Sequence, residues 1–380
     1  MVAERDHTPP GTPRGRWILV GGAIGAITVA GIATAVAVAQ VGTPSPTTST
    51  TTTTVTVTTT TAPRNFTLSA VGDTELGDTP DLPGDPAGYL APIKASLGAS
   101  IVFGNLEGTM TNAIESKCAP TSSGCYAFRV PTSFAMVYHR AGFTVLNSAN
   151  NHSHDFGASG ANDTTDALEA AGIVQAGLSG QIGVTRVGAT KVAFVDFAPY
   201  WNTNNLLNLP VAAQLIARAK TMADVVVVYM HAGAEGPAAD HVTRSTETYF
   251  GENRGNEYAF AHAAIDAGAD LVLGSGPHVL RGMEWYRGHL IAYSLGDFAN
   301  YYDFSAGGVL DLSAILHVTL SSTGAYVWGA LTSVRLSPSG QPFVDPTHAS
   351  ALFVNTLSKQ DFGAAGVVIR PDGSIPPPSG

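Results

Sequence analysis

The residues best suited to chemistry in this sequence directly follow short apolar runs. Each of six such runs leads into polar side chains. These side chains are Asp73, Asn105 and Glu107, the segment from Asn150 to Asp155, His231 and Glu235, His278, and Asp297. Carboxylates, amide oxygens and imidazoles are hard or borderline ligands for divalent cations, and a bound cation can polarise a phosphoryl or carbonyl oxygen. The clusters therefore predict a metal-dependent site.

Each cluster, taken alone, has a purely structural alternative. The alternatives are a helix N-cap for Asp73, a solvated turn for Asn105 and Glu107, a satisfied core position for His231, and an ordinary loop position for His278. The segment 150–155, NNHSHD, differs because six consecutive polar residues after an apolar run are poor core material. A functional role is favoured there even in isolation.

The elements that must position these residues alternate along the chain between Phe66 and Arg370. The predicted strands are 66–72, 100–105, 143–149, 191–197, 224–230, 270–276 and 290–296, and the predicted helices include 159–172, 211–222 and 256–268. This alternation is typical of an α/β domain with a mainly buried sheet, whereas residues 308–370 are predicted to be β-rich. Because ligands bind beyond the carboxyl ends of such strands, we expect the polar clusters to share one pocket.

The N-terminal segment predicts a membrane anchor. Residues 17–39 contain no charged residue and no proline, and as a helix they would span roughly 34 Å, enough for a bilayer core of about 30 Å. Arginines precede this segment and none follows it until Arg64, which predicts a cytoplasmic tail at residues 1–16 and an extracellular remainder. The alternative is a cleaved signal peptide, since residues 37–39 have a small-x-small pattern.

The remaining boundaries and the composition limit the function further. Residues 40–64, rich in Thr and Pro, predict an unfolded stalk or a plain spacer, residues 65–370 the main domain, and residues 371–380 a flexible tail. The net charge of −10, without a basic run, argues against nucleic acid as a partner.

The chain has two cysteines, Cys118 and Cys125, in the polar loop KCAPTSSGCY. In the oxidising compartment that export implies, we expect them to form a disulfide. The alternative is a two-cysteine metal site, which lacks the further Cys or His nearby that zinc prefers.

Six segments form a pattern that a known family shares. They are AVGDTELG (70–77), VFGNLEGTMT (102–111), FRVP (128–131), VLNSANNHSHDFG (145–157), VVVYMHAGAEG (226–236) and DAGADLVLGSGPHVLRGMEWYRGHLIAYSLGDF (266–298). Over about residues 66–345 the chain resembles the bacterial capsule-synthesis family of CapA-type, or poly-γ-glutamate capsule, proteins. That family is similar to the calcineurin-like metallophosphoesterases, so the resemblance implies a four-layer α/β/β/α sandwich holding two metal ions.

The resemblance also implies roles for individual residues. The implied metal ligands are Asp73, Glu107, Asn151, His231 and His278, and the implied proton donor to the leaving oxygen is His152. Asn105, Asn150, Glu235 and Asp297 are expected beside the site. Asp155 is expected to orient His152 or to coordinate water, as carboxylates do for imidazoles at metal sites. The expected cofactor is a divalent metal: Mn, Mg, Zn or Fe.

The chain departs from the family pattern at three points. Glu75 stands two positions after Asp73, where phosphoesterases have histidine, and Asp297 replaces the usual asparagine of SLGNF. The sequence from Gly274 to His278 is GSGPH, where relatives often carry GHHPH. Because the sequence has fewer imidazoles than the family pattern, it is compatible with a site for either one or two metal ions.

Two main hypotheses of function follow. The first is a metal-dependent hydrolase of a phosphoester or of an amide in a surface polymer, with His152 as general acid. The second is a non-catalytic subunit that binds or guides a capsular polymer or its precursor together with partner membrane proteins. A third and weaker hypothesis is a cell-surface adhesion module.

Overall fold

The computed structural model describes residues 64–378, apart from residues 120, 123, 303, 305 and 306. The predicted cytoplasmic tail (1–16), the predicted membrane anchor (17–39) and almost all of the predicted linker (40–64) lie outside the described residues. Among the residues that are described, no helix combines the length and apolar character needed to cross a bilayer.

Strands and helices alternate through most of the described chain. The strands are β1 (Phe66–Glu75), β2 (Ile101–Leu106), β3 (Thr109–Met110), β4 (Arg129–Val130), β5 (Val145–Asn147), β6 (Val174–Ala176), β7 (Gly183–Val187), β8 (Thr190–Ala198), β9 (Asn204–Asn205), β10 (Val225–His231), β11 (Glu247–Tyr249), β12 (Glu252–Gly255), β13 (Leu271–Ser275), β14 (Met283–Tyr286), β15 (His289–Ala292), β16 (Asp297–Asn300), β17 (Leu312–Leu320), β18 (Tyr326–Leu336), β19 (Pro342–Val344) and β20 (Ser374–Ile375). The α-helices are α1 (Pro86–Tyr89), α2 (Ala91–Lys94), α3 (Ala135–Ala141), α4 (Gly157–Ala170), α5 (Leu209–Met222), α6 (Glu257–Asp266) and α7 (Ala349–Phe362).

Two large sheets organise the domain. The first has the order β19-β18-β17-β1-β2-β5-β6, with β16 on β1 and β20 on β18. The second has the order β14-β15-β13-β10-β8-β7, with β9 on β8. The strands β1, β2, β5 and β6 are parallel, as are β8, β10, β13 and β15. The carboxyl ends of each parallel set therefore lie at one edge of their sheet.

The two sheets pack face to face on a shared apolar core. Phe103 of the first sheet stacks on Phe194 of the second with ring centroids 5.5 Å apart and lies 5.3 Å from Tyr229. The outer face of the first sheet is covered by α1 to α4, and that of the second by α5 and α6. These are the four α/β/β/α layers that the family resemblance implies. Because both sheets are covered on both faces, a strand such as β10 is buried along its whole length.

Only residues 290–292 of the predicted strand 290–296 lie in a named strand of the structure. Its first part is β15 of the second sheet, and Asp297 then begins β16, which pairs with β1 of the first sheet. Gly296, with φ of 62°, permits the change of direction. Asp297 therefore begins a strand, contrary to the prediction that it follows one.

Two predictions for the C-terminal region are wrong. Residues 349–362, predicted to be part of a β-rich region, form α7, because Ala351, Val354 and Phe362 fall on one buried helical face. Residues 374–375, assigned to a flexible tail, form β20 on β18, and Ile375 is fully buried. A strand of two residues carries too little periodicity to be read from sequence.

Candidate metal centre

The candidate metal centre lies where the carboxyl ends of β1, β2, β10 and β13 meet. Asp73 of β1 stands opposite Asp297 of β16, and the Asp73 N–H donates to the carbonyl of Gly296 at 2.9 Å. A Cβ atom at Gly72 would lie 1.8 Å from the Gly296 carbonyl oxygen, so only glycine permits this close approach. The sequence VGD thus brings two acidic side chains from distant positions side by side.

A first cluster consists of Asp73, Glu107 and His231, whose ligand atoms all lie within 4.8 Å of one another. His231 Nε2 is 3.6 Å from Glu107 Oε1, and His231 Nδ1 is 3.8 Å from Asp73 Oδ1. Both Nε2 and Oε1 are buried without a hydrogen-bond partner among the described residues. A buried polar atom left unsatisfied costs about 1–3 kcal/mol, and a cation between these two atoms would satisfy both. The donor set therefore fits a divalent metal.

A second cluster consists of Asp73, His278 and Asp297, again within 4.8 Å. His278 Nδ1 lies 2.7 Å from Asp297 Oδ1 and 3.5 Å from Asp73 Oδ2. Asp73 belongs to both clusters and turns one oxygen toward each histidine. The geometry thus provides two adjacent sets of ligands that share one carboxylate.

The protonation of these groups reflects burial and mutual repulsion. Burial raises the pKa of Asp73 to about 6 and raises the pKa of Glu107 well above its usual range, with Asp73 adding to the second effect. Burial holds the pKa of His231 well below its usual value, which keeps the imidazole neutral and able to bind a metal. Burial alone would lower the pKa of His278, but Asp297, Glu107 and Asp73 together raise it well above its usual value. The site therefore favours an added positive charge.

The side-chain amide of Asn105 joins the two acidic residues of the first cluster. Its NH2 group donates to Asp73 Oδ1 at 2.7 Å and to Glu107 Oε2 at 2.8 Å. Its oxygen accepts from the NH2 groups of Asn147 at 2.6 Å and Asn150 at 2.9 Å. With both lone pairs of the oxygen occupied, Asn105 positions the carboxylates instead of offering an oxygen to a cation.

Asn150 fixes which way the Asn105 amide points. The Asn150 oxygen accepts from the backbone N–H of His152 at 2.9 Å, and its NH2 group donates to the carbonyl of Leu106 at 2.7 Å. Backbone groups cannot exchange donor and acceptor roles, so the orientation of Asn150 is determined. Because Asn150 donates to the oxygen of Asn105, the NH2 group of Asn105 must face the carboxylates of Asp73 and Glu107.

His152 and Asp155 lie in direct contact with each other. His152 Nδ1 lies 2.7 Å from Asp155 Oδ2, which also accepts from the Phe128 N–H at 2.7 Å. This contact leaves Nε2 as the ring nitrogen available to a substrate. Burial lowers the pKa of His152, whereas Asp155 opposes that shift. Asp155 Oδ1 is 2.6 Å from Lys117 Nζ, which also donates to the backbone carbonyl of Asn151 at 3.1 Å.

The clusters open into a cleft of about 790 Å³. Asn151, His152, His278 and Asp297 all line it. The Asn151 side-chain oxygen is buried without a hydrogen-bond partner among the described residues, as a ligand atom would be. The cleft thus gives a ligand access to both His152 and the second cluster.

Glu235 and the disulfide also border this cleft. Glu235 pairs with Arg254 at 2.8 Å and lies 3.8 Å from His278 Nε2. The predicted disulfide between Cys118 and Cys125 is confirmed, and Cys125 lines the cleft. The cross-linked loop therefore forms part of the wall.

Three further residues of the site do not follow from the sequence patterns. Ser275 donates to Asp73 Oδ1 and hydrogen-bonds the hydroxyl of Tyr229, which adds two polar groups behind the first cluster. In the sequence, Ser275 stands out only as a replaced imidazole, and Lys117 only as a neighbour of Cys118. Arg254 lies in a long segment without hydrophobic periodicity, so no sequence signal marks it.

The fold and the site define a four-layer α/β protein with a candidate metal centre at its strand ends. The chain belongs to the family described as bacterial capsule synthesis protein PGA_cap. The model of that family matches residues 67–302, which is more than half of this chain. The family resemblance predicted from sequence is thereby confirmed.

Relatives of this chain include two Bacillus proteins. It is 36% identical over 173 residues to the PGA biosynthesis protein CapA of Bacillus subtilis (strain 168), covering 41% of this chain and 42% of that protein. It is 33% identical over 178 residues to the capsule biosynthesis protein CapA of Bacillus anthracis, and this match covers 42% of this chain and 40% of that protein. The matches thus span about two-fifths of these relatives. A 5′-nucleotidase precursor from Thermus thermophilus matches in structure with a TM-score of 0.39 and 14% identity, covering 74% of this chain and 56% of that one.

Proposed function

We propose that this protein acts in the biosynthesis of a capsule polymer, poly-γ-glutamate or a related surface polymer, as a metal-dependent hydrolase. Membership of the PGA_cap family supports the polymer. The observation that carries the proposed chemistry is the buried pair His231 Nε2 and Glu107 Oε1, 3.6 Å apart and both without a hydrogen-bond partner among the described residues. A phosphoester or an amide of the polymer or its precursor is the proposed substrate.

Each residue of the site has a task in this proposal. Asp73, Glu107 and His231 would hold one cation, and Asp73, His278 and Asp297 a second. A bound divalent cation polarises the oxygen of the scissile group and lowers the pKa of water.

His152 would act next to these ligands as the general acid. Its Nε2 would donate a proton to the leaving oxygen of a phosphoester or to the leaving nitrogen of an amide, while Asp155 holds the ring through Nδ1 and favours its charged form. Asn151, whose side-chain oxygen has no hydrogen-bond partner among the described residues, would offer a further ligand atom.

The proposed location is the cell membrane. Residues 17–39 would form the anchor, with residues 1–16 in the cytoplasm and the main domain outside, near partner membrane proteins of capsule synthesis. The disulfide supports an oxidising compartment. Protease treatment of intact cells tests this location, since only an extracellular domain would be cleaved without lysis.

Metal analysis tests the proposed ligands. The purified full chain is expected to contain at least about one equivalent of divalent metal, and Asp73→Ala or His231→Ala to lower that amount, because each removes a ligand of the first cluster. Asp266→Ala, on the surface, serves as the control. Wild-type protein without metal, after dialysis against Mn²⁺ and Zn²⁺, would contradict the proposal.

Activity is tested on bis-p-nitrophenyl phosphate and on a γ-glutamyl anilide in the presence of Mn²⁺. His152→Ala is expected to lower kcat by about 10²–10⁴-fold, the usual contribution of a general acid. Metal content must remain at the wild-type level in this variant, so that a loss of kcat reports proton transfer.

A second candidate function is a non-catalytic assembly subunit. The observation that favours it is Ser275, which occupies a position where relatives often carry histidine and donates to the oxygen of Asp73 that faces the first cluster. Metal binding without turnover of either substrate would support this function over the hydrolase.

A further inference from the structure

The cleft contains one strong cation that the proposed chemistry does not use. Arg254 lies on β12 and borders the cleft, yet its side chain is only 2% exposed. A guanidinium carries five N–H donors in a planar fork, and these match the oxygens of carboxylates and phosphates. A buried arginine at the wall of a cleft is therefore a candidate ligand-binding residue.

The contacts of Arg254 leave part of this fork unused. Nη2 lies 2.8 Å from Glu235 Oε1, and Nη1 lies 3.6 Å from Glu252 Oε2. Nε is buried and donates to no acceptor among the described residues. An unmade hydrogen bond of a buried donor costs about 1–3 kcal/mol, so a ligand oxygen placed at this donor would remove an existing penalty.

The neighbours of Arg254 show that it lies close to the metal ligands. Its positive charge contributes to the lowered pKa of His231, and Glu107 in turn acts on the guanidinium. Its partner Glu235 is 3.8 Å from His278 Nε2. A group bound by Arg254 would thus lie beside the candidate metal centre.

The other basic side chain on the cleft wall, Lys117, already has hydrogen-bonding partners within the protein. Among the described lining residues, Lys117 is the one lysine, and its Nζ contacts both Asp155 Oδ1 and the carbonyl of Asn151. Arg254 also pairs with two carboxylates, Glu235 and Glu252, but both act on its Nη atoms, and its Nε–H has no acceptor among the described residues. It is therefore the cation with capacity for an anionic ligand.

We propose that Arg254 is the anion-binding residue of this cleft and that it binds a carboxylate or phosphate oxygen of the substrate, with Glu235 competing for the same guanidinium. The identity of the ligand as a substrate rests on the proposed function, but the binding of an oxyanion by Arg254 does not. Arginine suits both groups because its parallel N–H donors form paired hydrogen bonds with either.

Calorimetric titration of the purified full chain tests this assignment. The two probes are penta-γ-glutamate, which carries carboxylates only, and inorganic phosphate, each at low ionic strength. Arg254→Gln is expected to weaken binding at least about tenfold, and Arg254→Lys to weaken it less, because lysine keeps the charge but lacks the fork. Arg287→Gln, at an exposed arginine paired with Asp266, is the matched control and should bind as wild type does.

A second variant changes affinity in the opposite direction. Glu235→Gln removes the carboxylate that competes for Arg254 and is expected to strengthen binding of the same probe by about threefold or more. Improved binding cannot result from misfolding, so this variant keeps the assignment testable even if Arg254→Gln is unstable.

The outcomes separate the two sources of the anion. Tighter binding of penta-γ-glutamate identifies the polymer, and tighter binding of phosphate identifies a phosphoester; either supports the assignment if the Arg254 and Glu235 variants shift it in opposite directions. No binding of either probe, or equal affinity in wild type and Arg254→Gln, overturns it. Metal content measured on the same samples reports separately on the proposed hydrolase, since absence of metal contradicts that function and leaves the anion titration to decide on Arg254.

Discussion

At the residue scale, Lys117 tunes the proposed proton donor without touching it. Its ammonium group lies 2.6 Å from Asp155 Oδ1, and Asp155 holds His152 through the other oxygen. The positive charge of Lys117 contributes to the lowered pKa of His152. Lys117→Met should therefore raise the pKa of His152, because the repelling charge is removed and Asp155 acts on the ring unopposed.

The pKa of His152 is measured by NMR titration of ¹³C-labelled histidine. The exposed Lys94→Met variant is the control and should leave that pKa unchanged. An unchanged or lower pKa of His152 in Lys117→Met would show that the ion pair between Lys117 and Asp155 does not act on the ring.

Asp196 is a buried acid that the proposed chemistry does not use. It lies on β8, and neither carboxylate oxygen has a hydrogen-bond partner among the described residues. Burial raises its pKa well above the usual range. The folded state thus binds a proton that the unfolded chain releases above about pH 4, so this residue lowers stability as pH rises.

Asp196→Asn should consequently raise the free energy of unfolding at pH 8 by about 1–3 kcal/mol and raise it less at pH 4.5. Urea denaturation at the two pH values measures the difference. Asp166→Asn, at an exposed helical position, should have little effect at either pH. An equal gain at both pH values would exclude ionisation as the cause.

At the element scale, a buried arginine secures the long connection between β10 and α6. Arg281 donates through Nε to the carbonyl of Ala239 at 2.7 Å and through Nη2 to Glu247 at 2.8 Å. Its Nη1 donates to Glu257 at 2.5 Å, and burial raises the pKa of that acid to about 7. This connection carries both Glu235 and Arg254, which line the cleft. The shape of the cleft therefore depends on the connection keeping its folded conformation.

Arg281→Met is expected to lower the free energy of unfolding by about 3–5 kcal/mol, because it leaves Glu247 and Glu257 buried without their cation. Urea denaturation measures the change, with the exposed Arg287→Met as the control. A loss below about 1 kcal/mol would indicate that water reaches the two acids and replaces the arginine.

The central elements could be predicted because their signals are local. β10 and β13 are continuous apolar runs, and the polar residues that follow them converge because parallel strands end at the same edge. The end of the strand at Ala292 and the passage of the chain to the first sheet at Asp297 could not be predicted, since they depend on the contact between Gly72 and Gly296, which are 224 positions apart in the sequence. The helix at 349–362 contains β-branched and aromatic residues, and its packing outweighs their weak helical propensity.

The site shows the same division between local and distant signals. Asp73, Glu107 and His231 could be predicted because each follows an apolar run. Lys117 and Arg254 could not, because a cross-linked loop and an irregular connection carry them to the cleft. Such segments have no periodicity from which a direction in space follows.

At the scale of the whole molecule, the candidate metal centre joins the two sheets. Asp73 and Glu107 belong to the first sheet and its loops, whereas His231 and His278 come from the ends of strands in the second. Burial raises the pKa values of Asp73 and Glu107, and repulsion among the buried carboxylates adds to both shifts. A cation bound between the sheets would relieve that repulsion and would be absent from the unfolded chain.

Metal should therefore stabilise the entire domain and not only the cleft. At a free metal concentration about 100 times Kd, binding to the folded state adds about 2.7 kcal/mol to the free energy of unfolding. EDTA-treated protein is expected to melt at a lower temperature than the same protein after addition of Mn²⁺, as measured by calorimetry. Asp73→Ala should abolish this difference, because the substitution removes the carboxylate that both clusters share. Identical melting temperatures of wild type with EDTA and with Mn²⁺ would rule out a cation shared between the sheets.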